Sequence, residues 1–345
     1  MRLCFYLWAF VLLSAVSANS LLELLQERSE SDCKTIMDLF IVLDSSGSIG
    51  APAFEQAKSA LVDLVSMLQI GPKKVQVWVI NYGSTVEVPI NVLNTPISEF
   101  TKEKIIERIR GIRYMNGACT ATGDALQLVR KICDKSCRSH HEGVSRVALV
   151  FTDGYSNCGT TVGVESSNLL AITKASVFAV GIGSGVNTAE LTTIATDKKY
   201  IMHVSDYLHL IGAMNNITIY TCGIPAFVIP NVKVETSAPM NTFRYYQVDT
   251  TELLRQSRNH QGGFIEIDAN IHLGRVEVYT STTESNPGPG TGKRVVFQSQ
   301  GAEFYYLEYI DEDTPRLYFS FYGLQQENEY DFTVKWLNLE GGIIG

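Results

Sequence analysis

Three oxygen-bearing side chains alternate in one short loop near the start of the chain. Asp44, Ser46 and Ser48 lie in the segment DSSGS, which continues the apolar run from Asp38 to Leu43. That run is rich in branched and aromatic residues, a composition typical of a strand buried on both faces. Alternate positions of an extended turn can direct three oxygen atoms at one point, and hard oxygen ligands suit a small divalent cation, above all Mg²⁺. The loop therefore predicts a cation site.

Two later segments complete the set of candidate ligands. Thr120 lies in GACTATGDAL before a helical pattern, and Asp153 ends the apolar segment VALVFTD. Together the three segments resemble the von Willebrand factor type A domain and its metal ion-dependent adhesion site, over roughly residues 33–222. The resemblance implies hydroxyl ligands, aspartates that act partly through water, and an open coordination position filled by a Glu or Asp of a partner. The site residues implied are Asp44, Ser46, Ser48, Thr120 and Asp153.

The metal expected at these residues is Mg²⁺, with Mn²⁺ or Ca²⁺ as alternatives. The simpler interpretation of Asp44 and Asp153 is helix capping, because Asp and Ser before a helix accept hydrogen bonds from its free N–H groups without any ion. Two carboxylates brought together without a cation would repel each other and lose hydration. The complete three-segment set therefore favours a metal site over capping alone.

Strand and helix patterns alternate through the first part of the chain. They predict an α/β fold with a Rossmann-like, doubly wound, mostly parallel sheet covered by helices on both faces, as expected for a domain spanning residues 35–222. Helical periodicity ends near Pro225, and about eight short alternating runs follow, which predict an all-β sandwich over residues 225–345. This second segment resembles the prepeptidase C-terminal type of β-sandwich through GGFIEIDANIHLGRVEVY and RLYFSFYG.

The first 18 residues have the pattern of a secretory signal peptide. Arg2 is followed by the apolar run Leu3 to Val16 and by a small-residue cleavage site ending at Ala18, with a lead-in at 19–34. No later stretch approaches about 18 apolar residues, so we expect a secreted, extracellular protein without a membrane span; a non-cleaved anchor is the alternative. The net charge of −8 disfavours nucleic acid and anionic membranes as main partners.

Six of the seven cysteines remain once the signal peptide, which contains Cys4, is removed. Six cysteines allow 15 pairings, and an even number in an oxidising compartment favours disulfides over free thiols. A zinc site is disfavoured because the CxxxC spacing lacks a second pair with finger spacing. The preferred pairing joins the two ends of the first domain, two loops of the metal face, and one small loop at a helix end. These pairs are Cys33–Cys222, Cys119–Cys158 and Cys133–Cys137.

Two further motifs have less specific interpretations. Asn216-Ile217-Thr218 is the sole N-glycosylation sequon of the chain, and either a glycan or an unused sequon fits it. The acidic run Asp311 to Asp313 favours a solvated turn over a Ca²⁺ site.

Taken together, the sequence predicts an adhesion protein that binds an acidic group of an extracellular partner, such as a collagen-like or other matrix protein, through Mg²⁺. A structural matrix component that assembles without metal is one alternative. A serine hydrolase is another, because Ser46 and Ser48 lie on a strand-to-helix turn, but the G-x-S-x-G pattern is missing and His203 is the one serious candidate base. We therefore expect no catalytic activity. The sequence does not indicate an oligomeric state.

Overall fold

The computed structural model describes residues 33–92, 96, 99–256 and 262–337. The expected signal peptide and almost all of the lead-in lie outside the described residues. In the first part of the chain, the strands are β1 (Met37–Asp44), β2 (Val75–Tyr82), β3 (Val86–Ile90), β4 (Ser145–Thr152), β5 (Ser176–Ile182) and β6 (Ile201–Val204). The helices are α1 (Ala51–Ser66), α2 (Lys102–Arg110), α3 (Thr122–Ser136), α4 (Val162–Thr173), α5 (Thr188–Ile194) and α6 (Tyr207–Cys222).

These strands form one six-stranded sheet in the order β3-β2-β1-β4-β5-β6. Every neighbouring pair is parallel except β3, which runs antiparallel to β2 at the edge. Successive side chains of β1 point to opposite faces of the sheet and so enter two different cores. Leu39 and Ile41 pack with α1, α2 and α6 on one face. Phe40 and Val42 pack with α3, α4 and α5 on the other. The predicted doubly wound α/β fold is confirmed. None of the helices in the described ranges has the length and apolar character needed to cross a membrane.

The topology brings the candidate ligands to one edge of the sheet. Strands β1 and β4 are parallel neighbours, and their register pairs Leu43 with Phe151. Asp44 ends β1, and Asp153 follows the last residue of β4. Because parallel strands present their carboxyl ends on the same side, both aspartates lie where open α/β sheets bind ligands.

The second part of the chain folds as two facing sheets, and the predicted β-sandwich is confirmed. The elements are β7 (Ala226–Phe227), β8 (Val234–Ser237), β9 (Phe243–Asp249), α7 (Thr250–Gln256), β10 (Gly263–Leu273), β11 (Arg275–Ser281), β12 (Lys293–Ser299), β13 (Glu303–Ile310), β14 (Arg316–Gly323) and β15 (Glu329–Leu337). One sheet has the order β13-β10-β15-β8 and the other β12-β11-β14-β9-β7, with antiparallel pairing except between β7 and β9. A single aromatic-rich apolar core fills the space between the two sheets.

The sandwich contacts the first part of the chain at the amino ends of the parallel strands. Arg244, on β9, donates a hydrogen bond of 2.6 Å to the carbonyl of Lys34, just before β1. His141, just before β4, contacts the carbonyl of Lys233 through Nδ1 at 2.8 Å. Both contacts lie at the opposite end of the sheet from Asp44 and Asp153. The second part therefore packs away from the candidate ligands.

Three disulfides connect distant and local parts of the first fold. One joins the segment before β1 to the end of α6, the second joins the loop between α2 and α3 to the loop after β4, and the third closes the last turn of α3. The structure pairs all six cysteines of the described chain in the expected way. These bonds are Cys33–Cys222, Cys119–Cys158 and Cys133–Cys137.

Candidate metal centre

Asp44 is buried at the end of β1, and its carboxylate is held by two hydrogen bonds. Oδ1 accepts the backbone N–H of Ser46 at 2.8 Å, and Oδ2 accepts the Thr152 hydroxyl of the neighbouring strand at 2.9 Å. Burial raises the pKa of Asp44 to about 6, against the opposing effect of the Ser46 and Thr152 hydrogen bonds and with a smaller upward contribution from Asp153. The loop and the adjacent strand together fix the orientation of this carboxylate.

Ser46, Ser48 and Asp153 form a continuous chain of polar contacts. The hydroxyl oxygens of Ser46 and Ser48 lie 3.1 Å apart, and the Ser48 hydroxyl donates to Asp153 Oδ1 at 3.0 Å. Asp153 is about half-buried, and desolvation raises the pKa of its carboxyl as well. Residues more than a hundred positions apart therefore meet in one cluster with Asp44.

The loop that carries Thr120 is hydrogen-bonded on one side to the loop of Ser46 and Ser48 and on the other side to the loop that follows Asp153. Gly47 N–H donates to the Gly117 carbonyl at 2.8 Å, and Gly117 N–H donates to the Ser45 carbonyl at 3.1 Å. On the other side, the Thr120 N–H donates to Asn157 Oδ1 at 2.9 Å, and the Asn157 N–H returns a bond of 3.1 Å to the Thr120 carbonyl. Thr120 is thus positioned between the loop of the two serines and the loop of Asp153.

Close backbone packing and a disulfide restrain the same loop. A Cβ atom on Gly117 would lie 2.6 Å from the backbone nitrogen of Ser84 and 2.8 Å from the Cα of Gly83. Only glycine therefore allows this approach. The adjacent Cys119–Cys158 bond links the loop covalently to the segment after Asp153.

Several residues that support the candidate ligands were not identified from the sequence. Thr152 and Asn157 make the hydrogen bonds described above, and the Tyr114 hydroxyl donates to the Ser46 carbonyl at 2.9 Å while accepting the Gly50 N–H at 3.1 Å. Thr152 directly precedes Asp153, so a search for hydroxyls beside the candidate ligands would have found it. No spacing rule connects Tyr114 to a loop almost 70 residues earlier.

The residues present fit a hard divalent cation. Two carboxylates and the hydroxyls of Ser46 and Ser48 lie in one set of contacts, and Thr120, which is held through its backbone, would add a third hydroxyl. Burial raises the pKa of both carboxyls, which a nearby positive charge would reverse. Within the described ranges, no group of three or more His, Cys, Asp and Glu side chains is arranged to hold a metal. The candidate site therefore depends on its hydroxyls as well as its carboxylates. Oxygen donors of this kind suit Mg²⁺, whereas zinc sites typically use nitrogen and sulfur ligands.

The same geometry does not assemble a hydrolase site. The Ser48 hydroxyl contacts Ser46 and Asp153, and in the part of the chain that the structure describes neither serine is hydrogen-bonded to a histidine. His203, the candidate base, is an exposed residue of β6. A serine nucleophile needs a base within hydrogen-bond reach, and this arrangement lacks it.

The other two candidate sites are both at the surface. Asn216 is an exposed residue of α6, so its amide is accessible for the predicted glycan. Asp311 Oδ1 accepts the backbone N–H of Asp313 at 3.2 Å and the Thr314 hydroxyl at 2.8 Å. Those bonds form a local turn, the interpretation favoured by the sequence.

Replacing Thr152 with valine is expected to weaken divalent-cation binding by roughly 10- to 100-fold, the usual effect of removing a residue that orients a metal ligand. The variant keeps the shape of the side chain and removes the hydroxyl that holds Asp44 Oδ2. Calorimetric titration of the purified protein with Mg²⁺ or Mn²⁺ measures the change. Unaltered affinity would show that this hydrogen bond does not orient the carboxylate for an ion.

A family model and several proteins match the first part of the chain. The model described as von Willebrand factor type A domain matches residues 38–216. The Collagen alpha-1(XXI) chain of Xenopus laevis is 32% identical over 206 residues, which are 58% of this chain and 20% of the collagen chain. Matrilin-1 of Gallus gallus is 30% identical over 162 residues, or 47% of this chain and 31% of the matrilin.

One solved structure with a similar fold is that of proximal thread matrix protein 1 from the mussel byssus, described with a zinc occupied MIDAS motif. Its sequence identity is 26% and its TM-score 0.49, with 55% of this chain and 49% of that chain covered. The match to Collagen alpha-1(XXI) covers about a fifth of that relative's length.

Proposed function

The chain belongs to the von Willebrand factor type A domain family, and from this premise we propose that it binds an acidic group of a protein partner through a divalent cation. The ion is Mg²⁺, with Mn²⁺ or Ca²⁺ as alternatives. The observation that carries the proposal is the unbroken set of contacts from Asp44 through Ser46 and Ser48 to Asp153. The residues that hold the ion are Asp44, Ser46, Ser48, Thr120 and Asp153.

Each part of the cluster has a separate role in this proposal. Asp44 is buried and held from two sides, so it would supply a fixed negative charge to a bound ion. Asp153 is only partly buried and contacts Ser48, so it lies nearer the surface of the site. The bound ion would supply positive charge for a partner's carboxylate. Because Mg²⁺ retains waters, a partner's oxygen can replace one of them without displacing a ligand of the chain.

The arrangement of the two parts of the chain supports recognition of a large partner. The sandwich contacts the amino ends of the parallel strands, so it leaves the carboxyl edge uncovered. At that edge Ser48 is exposed and Asp153 partly exposed, while Asp44 is buried. Tyr155, just after Asp153, is 60% exposed and provides apolar surface beside the site. Relatives named as collagen chains and a matrilin are consistent with an extracellular matrix setting. We therefore place the protein outside the cell, with a collagen-like or other matrix protein as its partner.

The test is capture of a matrix partner with and without metal. The full secreted chain is immobilised and exposed first to purified collagen and then to an extracellular extract, in buffer containing Mg²⁺, EDTA, or EDTA followed by excess Mg²⁺. The proposal predicts binding that EDTA removes and Mg²⁺ or Mn²⁺ restores. Binding that persists unchanged in EDTA would instead support a structural component that assembles without metal.

A further inference from the structure

The strand β13 forms one edge of the four-stranded sheet, and it is unusually open to pairing. In the described ranges it pairs only with β10, over eight residues without a register shift. Its outward side chains form an apolar row, in which Tyr305, Leu307 and Tyr309 are 63%, 51% and 50% exposed. Tyr309 also packs edge-to-face on Phe264 of β10, with ring centroids 5.5 Å apart. Phe264 thus extends the apolar surface from Tyr309 onto the neighbouring strand.

The other three edge strands of the sandwich have features that discourage pairing. Strand β8 has only four residues and follows Lys233, and β7 has only two residues and follows Pro225. Strand β12 begins with Lys293 and Arg294, and its pairing with β11 contains a register shift. Short strands, charged side chains (lysine above all), proline and bulges are the usual means by which proteins block sheet edges. Strand β13 is eight residues long, contains no lysine or proline and pairs with β10 without a register shift, and its charged residues are Glu303 and Glu308.

We infer that β13 pairs with β13 of a second copy of this chain, which joins the two four-stranded sheets into one of eight strands. Two-fold symmetry requires antiparallel pairing in which each residue faces a partner on the same side of the sheet. A two-fold axis at Tyr306 places Tyr305 opposite Leu307 of the second copy.

The charges of the strand are compatible with this register. Glu303 faces Tyr309 of the second copy, whose hydroxyl can donate to the carboxylate, and Glu308 faces Phe304. Neither glutamate of the strand therefore faces another carboxylate across the pair. This matters because the chain is acidic, with a net charge of −8. In this register Tyr305 and Leu307 of the apolar row face each other and the two glutamates do not.

The dimer leaves the candidate metal edges free. The contacts of the sandwich with the first part of the chain described above come from Lys233, just before β8, and from Arg244 on β9, not from β13. A dimer would therefore display two metal sites, and this consequence rests on the proposed function. Two linked sites raise the overall affinity for a repetitive partner such as a collagen, because binding at the first site holds the second site close to the next repeat.

The experiment measures the oligomeric state of the full secreted chain by sedimentation velocity over a range of concentrations. The wild type is expected to dimerise. The double variant Tyr305→Lys and Leu307→Lys is expected to weaken the dimer by about 100-fold, because both copies lose apolar contacts and oppose like charges. The double variant Tyr305→Glu and Leu307→Glu should do the same. An equimolar mixture of the two should recover the dimer, because lysines then face glutamates.

The control is Ile219→Lys with Tyr220→Lys on α6, whose side chains are 52% and 59% exposed. This variant adds the same charge to a similar apolar pair elsewhere and should still dimerise. A wild type that remains monomeric at high concentration would overturn the inference. So would a dimer unaffected by the lysine pair on β13, or a mixture that stays monomeric. Because none of these measurements uses metal, their failure would leave the proposed metal function intact.

Discussion

Replacing Asp153 with asparagine is expected to lower the affinity for Mg²⁺ or Mn²⁺ by about 100-fold and to abolish metal-dependent capture of a partner. The change removes one of the two carboxylate charges of the cluster while keeping an oxygen that can accept the Ser48 hydroxyl. A loss of this size corresponds to about 2.7 kcal/mol, within the range for interactions with a charged group. Calorimetric titration measures the metal affinity, and the collagen-capture assay measures binding.

The matched control is Asp206→Asn. Asp206 is an exposed carboxylate that caps α6 by accepting the His209 N–H at 2.9 Å, and it follows β6 at the same edge of the sheet. Asparagine caps helices as well as aspartate does, so the fold should be unaffected. Equal losses of metal affinity in the two variants would show that general negative charge, not a defined ligand, attracts the ion. Full affinity in the Asp153 variant would contradict the assignment of Asp153.

Removing the Cys33–Cys222 bond with two serines is expected to destabilise the first part of the chain by about 5 kcal/mol. The bond joins residues 189 positions apart, so it greatly restricts the unfolded chain. Cys33 also packs in the core beneath α1. For a domain of this size the loss corresponds to a fall of roughly 10 to 20 °C in the unfolding midpoint, measured by calorimetry.

The Cys133–Cys137 bond provides the comparison for this prediction. It closes a loop of only four positions, for which the same argument gives about 2 kcal/mol. Replacing both of its cysteines with serine should therefore lower the midpoint much less. If the two variants lower the unfolding midpoint by similar amounts, the long-range disulfide does not stabilise the protein by restricting the unfolded chain.

The first fold could be predicted from the sequence because its signals are local. A strand buried on both faces is apolar throughout, as in β1, and helices with one apolar face separate such strands. The order of segments then determines which strand ends share an edge, and this placed Asp44 and Asp153 together. Among the polar residues that support the ligands, Tyr114 was the harder one to find, because its contact with Ser46 joins residues 68 positions apart.

The strand order of the sandwich could not be predicted in the same way. Strands such as β10 alternate apolar and polar residues, so the pattern shows that a strand has one buried face but not which neighbour it pairs with. Strand β10, for example, pairs with both β13 and β15, which follow it by several strands. Likewise, alternation along the aromatic run around Tyr305 predicts that half of it faces outward, but only the strand order shows that this half lies at a sheet edge.

The most direct measurement is the anomalous diffraction of a crystal of the full chain soaked in Mn²⁺. The account predicts one strong manganese peak bounded by the hydroxyls of Ser46 and Ser48 and by Asp153, with water or a carboxylate from another molecule completing the coordination. No peak at this position at saturating Mn²⁺ would contradict it. A peak whose coordination is filled entirely by the chain's own side chains would equally contradict it, because the ion could not then accept a partner's carboxylate.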